Sequence, residues 1–296
     1  MLKVSFLKTL FAVLSCAFLW GIGSVISRSL LIEGINEIYL VFLRLISISV
    51  ILFVYLTIAR RDQLNKQILK EASITGFFSV FLVSISFIYA LQEISSGLVT
   101  LMISSAPIFT VIWLKILLKE ERISSVKYFS VFIGFLGIAY LFLTQETGLE
   151  NQGNILIGGS LAFLGVQCIS LSTVLNRRFA PKYKVTSWLA YQYPFVVVLI
   201  TATFFILGIE VQELNTSQIV RLTFLVFSNL GAFLTFTWLI QRVSALQVAS
   251  IDYLVPVVGV TSGVIFLGES FNNNILVAGV FIFFSLIINT YEEFSR

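Results

Sequence analysis

Ten long runs of apolar side chains follow one another along the chain, separated by short polar connections. They occupy residues 7–27, 38–58, 72–91, 97–118, 128–143, 155–175, 187–207, 219–240, 246–267 and 275–290. An apolar run of roughly 20 residues crosses a ~30 Å hydrocarbon core as a helix rising about 1.5 Å per residue. Barrel strands would be about ten residues long and alternate in polarity, whereas these runs are apolar on all faces. The pattern predicts an all-α integral membrane protein with ten transmembrane helices.

Composition sharpens this reading. At 58% hydrophobic and 11% charged, the chain leaves no stretch for a separate soluble domain. Residues 1–8 followed by an apolar run have the start of a signal peptide, and Leu14-Ser15-Cys16 faintly resembles a lipoprotein processing site. The run continues to Ile26 without a small-residue cleavage pattern, so it is read as a span. Cys16 and Cys168 both fall inside apolar runs and there is no histidine, so neither a disulfide framework, a metal site nor a histidine proton relay is expected. No cofactor is implied.

The net charge of +4 sits in the connections and reports topology, not nucleic-acid binding. With a cytoplasmic N-terminus, sixteen of the nineteen Lys and Arg residues face inward, leaving Arg28, Arg44 and Arg221 elsewhere. The opposite face carries Glu33, Glu37, Glu93, Glu146, Glu150, Glu210, Glu213 and Glu269. Both termini are expected inside a cell membrane, plasma or inner, with Arg28 and Arg221 as interfacial residues near Glu partners.

The two halves are related. Residues 92–120 recur, degraded, as 241–269: Pro107 aligns with Pro256 at a shift of 149 residues, and the same shift matches Gln92 with Gln241, Ser95 with Ser244 and Glu120 with Glu269. A period of half the chain indicates duplication, giving one five-helix repeat over 1–146 and another over 147–296. Five spans per unit is an odd number, so the second half enters the membrane upside down. Inverted repeats suit secondary transporters, whose mirrored bundles can rock about a central site.

Candidate chemistry lies where polar residues interrupt the spans. Pro107 and Pro256 kink their helices and free the carbonyls of Ile103 and Asp252, either to line a pathway or only to shape packing. Asp252 is the only carboxylate well inside a span. Such a charge costs ~2.5–3.5 kcal/mol to insert and faces a partner or a water-filled cavity, which makes it a candidate substrate anchor or proton-coupling group, or else half of an ion pair. Arg44 is the matching intramembrane cation, free to bind a carboxylate or to pair with Glu37.

Trp20, Tyr89 and Trp238 are aromatic candidates for the wall, with interfacial belts as the competing role. Ser104, Gln167 and Asn229, with Ser79, Ser84 and Ser105, could hydrogen-bond a small solute or only their own backbone. Ser24 joins the candidates, although with Gly21, Gly23, Gly134 and Gly137 it also permits close helix approach. No phosphate-binding loop, Ser-His-Asp set or zinc spacing is present, so an ATP-driven pump, a protease or another enzyme is not expected.

With these residues in view, the chain resembles the EamA-type branch of the drug/metabolite transporter superfamily. The likeness rests on Trp20-Gly21, Arg44, Tyr89-Ala90-Leu91, Ser95-Ser96-Gly97, Ala106-Pro107, Lys119-Glu120 and Gly137, and in the second copy on Trp238, Ser244-Ala245, Pro256, Gly268-Glu269 and Gly279. It departs from the pattern at Gly165, opposite Trp20, and at Asp252, where a small or apolar residue is more usual. The resemblance implies a ten-helix carrier with a central cavity lined mainly by spans one, three, four, six, eight and nine, and with five and ten peripheral.

The expected function is secondary transport of a small polar metabolite, an amino acid or amine compound first, by alternating access and with export favoured by the resemblance. Proton-coupled uptake through Asp252 is the alternative within transport. A lipid flippase or a non-transporting scaffold is the alternative outside it.

Overall fold

The computed structural model describes residues 6–59, 66–118, 125–149, 153–242 and 245–294. Lys119, Glu120, Arg122, Glu150 and Ser244, which entered the charge and repeat arguments, lie outside the described residues, as do Lys3, Arg60, Arg61 and Arg296.

The described chain is helical, without a strand. The helices are α1 (Phe6–Ile32), α2 (Glu37–Ala59), α3 (Lys66–Gly76), α4 (Val83–Glu93), α5 (Ser96–Ile103) and α6 (Ala106–Leu118), then α7 (Ser125–Leu143), α8 (Ile155–Phe179), α9 (Val185–Ile206), α10 (Thr216–Ile240), α11 (Ala245–Leu267) and α12 (Asn273–Phe294). A π-helical segment, Phe77–Leu82, joins α3 to α4, so that Lys66–Glu93 forms one long rod. Seven of the helical stretches are long and apolar enough to cross a membrane, and three further apolar stretches, Tyr128–Leu143, Leu254–Leu267 and Asn273–Ser285, are shorter. This is a multi-pass membrane protein.

Its surface fits that solvent. Phe11, Ile58, Phe205 and Ile206 are largely exposed, as hydrocarbon surroundings allow, while many serines and threonines face inward. Buried hydroxyls turn to backbone carbonyls, as Ser27 does to Gly23 (2.8 Å) and Thr100 to Gly97 (2.9 Å). Such partners matter because lipid offers none.

Helix starts follow local chemistry. Ser95 caps α5 by accepting from the Leu98 amide (3.0 Å), and Asn215 with Gln218 forms a capping box on α10. The span containing Pro107 is broken, not merely kinked: α5 ends at Ile103, Ser104 and Ser105 turn, and α6 starts at Ala106 with proline in its first turn, where a missing N–H costs nothing. Its counterpart Pro256 lies within an unbroken α11.

Packing places α7 against α12, α1 against α10 and α11, α4 against α8, α2 against α9, and α5 against α11. The α7–α12 contact is tight because a Cβ on Gly137 would lie 2.9 Å from the Ala278 carbonyl. Ser130 and Ser285 bond across the same seam.

Charges sort to two ends. Lys8, Lys182, Lys184 and Arg242 border one cleft of ≈ 960 Å³ with Phe11 and Trp238, and this is called the basic end. Arg221–Glu33, Arg28–Glu269 and the Glu146–Asn274 bond mark the opposite, acidic end.

Candidate functional site

A cavity of ≈ 260 Å³ lies among α1, the α3–α4 rod, α5, α6, α8, α10 and α11, with Arg44 from α2 and Leu189 and Gln192 from α9 completing its wall. None of the described lining residues comes from α7 or α12. The wider membership than spans one, three, four, six, eight and nine matters chemically, because α2 and α9 bring a guanidinium and an amide.

One wall is aromatic. Trp20 packs edge-on against Phe233, ring centroids 5.8 Å apart, and tilts against Phe236 at 5.3 Å. Ser24 and Asn229 stand beside them, the Asn229 amide donating to the Leu225 carbonyl at 2.9 Å and leaving its oxygen for another donor. Trp20 reaches the cavity because α1 lies unusually close to α11 at the next residue, where a Cβ on Gly21 would meet Val258 Cβ at 2.6 Å.

The facing wall is polar. The π-helical segment turns Ser79 inward, where its hydroxyl donates to Gln192 Oε1 at 2.8 Å. A π-helical turn shifts the face a helix presents, and it often occurs at functional sites. Arg44 lies on this side, close enough to the buried Tyr193 hydroxyl to interact electrostatically. The Tyr193 hydroxyl has no hydrogen-bond partner among the described residues.

Asp252 and Arg44 both line the cavity, and neither has a hydrogen-bond or ion-pair partner among the described residues. The Glu37 pairing considered for Arg44 is not made. Among the described residues, Asp252 is the one carboxylate of the lining, while the cations are Arg44 and, near the basic end, Arg177. The two opposite charges line one cavity and form no ion pair with each other.

The other sequence candidates are dispersed. Pro107 and the adjoining Ile103 line the cavity, whereas Pro256 does not, although its neighbours Asp252 and Val255 do. Tyr89 packs half-buried against the core between α2, α9 and α10. Ser104 is buried and spends its hydroxyl on the Leu101 carbonyl at 2.6 Å. Gln167 accepts from Trp113 Nε1 at 3.3 Å, outside the lining. Trp238 stands in the basic-end cleft beneath Arg242, 5.1 Å from ring centroid to guanidinium. Gln192, Thr110 and Arg177 line the cavity without having been singled out, and an amide inside an apolar run was the signal available for Gln192.

The cavity is polar at its two ends. It reaches Ile240, the last residue of α10, and Arg177 near the end of α8, so it extends to the basic end. Toward the acidic end it stops at Ser27 and Leu91, and the α11 lining stops at Val255, twelve residues before that helix ends. At about 1.5 Å per residue, roughly 18 Å of packed α11 lies beyond it.

The cavity is largely apolar, with charges that have no hydrogen-bond or ion-pair partner among the described residues, inside a bundle of lipid-compatible helices. The profile of the EamA-like transporter family matches residues 7–143 and again 156–291. The chain belongs to that family, within the drug/metabolite transporter superfamily. No curated protein matches the sequence. Among solved structures, one titled only as a crystal structure of a protein superposes with a TM-score of 0.66 over 97% of this chain and 98% of its own, at 17% identity, and shares the fold.

Proposed function

We propose that the protein is a secondary active transporter of small polar metabolites, amino acids or amine compounds, working by alternating access and serving export. One observation carries this reading: Asp252 and Arg44 share a cavity without hydrogen-bond or ion-pair partners among the described residues. A substrate ammonium would take Asp252 and the indole face of Trp20, and a carboxylate would take the planar donor fork of Arg44. An amine without a carboxylate would use Asp252 and leave Arg44 to water, and a hydrophobic solute would match neither charge.

The transport cycle follows from the duplication. Counting the three shorter apolar stretches with the seven long ones gives ten crossings, in repeats 1–146 and 147–296, and an odd number in each half inverts the second. The excess of Lys and Arg at the basic end supports a cytoplasmic position for that end and for both termini. The cavity then opens inward, and export requires the acidic end to open in turn.

The test is counterflow of a labelled amino-acid and amine panel in proteoliposomes, with and without a pH gradient. Saturable exchange in the wild type, lost in Asp252→Asn, is expected. Well-folded wild type that exchanges no panel member overturns the reading. Because Asp252 is the single carboxylate of the lining, proton-coupled uptake is the second reading. It predicts that Asp252→Asn keeps exchange but loses gradient-driven accumulation.

A further inference from the structure

The acidic end is closed by one buried charge network joining four helices. Arg28, near the end of α1, places Nε 3.2 Å from Glu269 Oε1, and both side chains are almost fully buried. Its terminal nitrogen donates to the carbonyls of Leu91 and, at 3.3 Å, Ile94, the last turn of α4. Glu269, just past α11, accepts from the Ser96 amide (2.7 Å), the Ser96 hydroxyl (2.8 Å) and the Gly97 amide (3.1 Å), the first residues of α5.

The electrostatics follow the chain reversal between α4 and α5. A helix C-terminus presents unpaired carbonyls and partial negative charge, and a helix N-terminus presents unpaired amides and partial positive charge. Arg28 fills the first and Glu269 the second, each reaching across from another helix. The cavity stops directly beneath, at Ser27 and Leu91.

We infer that Arg28 and Glu269 form the gate of the acidic end: the network must part for the cavity to open there. This rests on the carrier reading above, since only an alternating-access cycle requires that end to open. The chemistry suits a contact that is made and broken. A buried ion pair contributes little net stability because desolvation offsets its attraction, and here Arg28 Nε meets the carboxylate without a hydrogen-bond alignment. On opening, water would hydrate both charges and the exposed ends of α4 and α5, so the open state need not be costly.

The closure also has a mechanical seam. A Cβ on Gly97 would lie 3.6 Å from Val260 Cβ, inside the disulfide range of about 3.5–4.5 Å. Gly97→Cys with Val260→Cys is therefore a lock that leaves both gate charges in place.

The experiment reads side-specific access to Ser27→Cys, on a Cys16→Ala/Cys168→Ala background, with a membrane-impermeant thiol reagent in sealed vesicles of known orientation. Glu269→Gln and Arg28→Gln are each expected to raise labelling from the acidic side roughly tenfold, the population shift given by about 1.4 kcal/mol, and to lower it from the basic side. The double variant should match either single one, because the pair acts as a unit. Oxidising the Gly97→Cys/Val260→Cys lock should abolish acidic-side labelling and stop exchange, with reductant restoring both.

Unchanged labelling on both sides in folded Glu269→Gln and Arg28→Gln protein would reduce the network to a structural brace. Undiminished exchange by fully cross-linked protein would also overturn the gate, and this arm decides the matter where a charge variant fails to fold. Labelling needs no substrate, so a gate that responds in protein that moves no panel solute sinks the substrate reading alone.

Discussion

Charges inside this bundle fall into two groups, those with partners and those without. Arg28 with Glu269, Arg221 with Glu33 and Lys182 with Glu71 are ion pairs at the ends of the helices, at 3.2, 2.5 and 3.0 Å. Asp252 and Arg44 lie deeper and face the cavity with no partner among the described residues. A charge far from water is expensive unless something compensates it. Paired charges are compensated by the fold itself, whereas the cavity charges are left for water and a ligand, so the two groups should respond differently to substitution.

The largest effect is expected at Asp252. Replacing it with Asn should weaken binding of amino acids and amines alike by about 30-fold or more in counterflow, the cost of about 2 kcal/mol or more for removing one partner of a buried charge contact. Loss of exchange with unchanged thermal stability would sharpen the contrast with the paired charges. Equal loss of stability would blur it.

Arg44→Gln should discriminate between substrates. Amino acids should lose roughly ten- to hundredfold in affinity, and amines lacking a carboxylate should be little affected, because a charge-assisted bidentate contact is worth about 1.5–3 kcal/mol. A competition series of one amine with and without its carboxylate reads this directly. Uniform loss across the series would return Arg44 to a structural role.

Lys182→Gln removes a partner that Glu71 shares with the Tyr183 hydroxyl, at 3.0 Å each. The Lys182 side chain is half exposed, so the change should lower stability by about 0.5 kcal/mol and leave exchange kinetics intact. Thermal unfolding beside the transport assay separates the two readouts.

The smallest effect is a pH dependence at Glu33. The hydrogen bond from Arg221 holds its carboxyl below the ordinary value of 4.5. A folded value below the unfolded one gives stability that is present above pH 4.5 and is lost as the pH falls through the depressed value. In so exposed a pair this amounts to a few tenths of a kcal/mol, roughly, and Arg221→Ala should remove it from the acid limb of a thermal-stability profile.

Much of the candidate site was legible because lipid makes polarity informative. Asp252, Arg44, Trp20, Ser24 and Asn229 were singled out as polar or aromatic interruptions of apolar runs, and all five line one cavity. Tyr89, Ser104, Gln167 and Trp238 were equally visible and stand elsewhere. The difference is helix rotation, which spans apolar on every face do not encode. The π-helical segment that turns Ser79 inward leaves no distinct pattern in FFSVFL either.

Arg28 was read as an interfacial residue near a Glu partner, and Glu269 as one of the charges of the outer face, because both lie at span ends. Their burial depends on where α1, α4, α5 and α11 meet, and no local pattern reports a meeting of four helices.

Composition and run length were sufficient for a multi-pass helical membrane protein, since a hydrocarbon solvent rejects unpaired backbone and charge wherever the chain folds. The matched spacing around Pro107 and Pro256 was likewise enough for a duplicated chain. Packing alone decided that one of those prolines sits beside a broken helix and the other in a continuous one, which end is sealed, and which charges found partners. Those outcomes depend on contacts between segments distant in sequence, where a shift of one helical position exchanges a cavity wall for a lipid face.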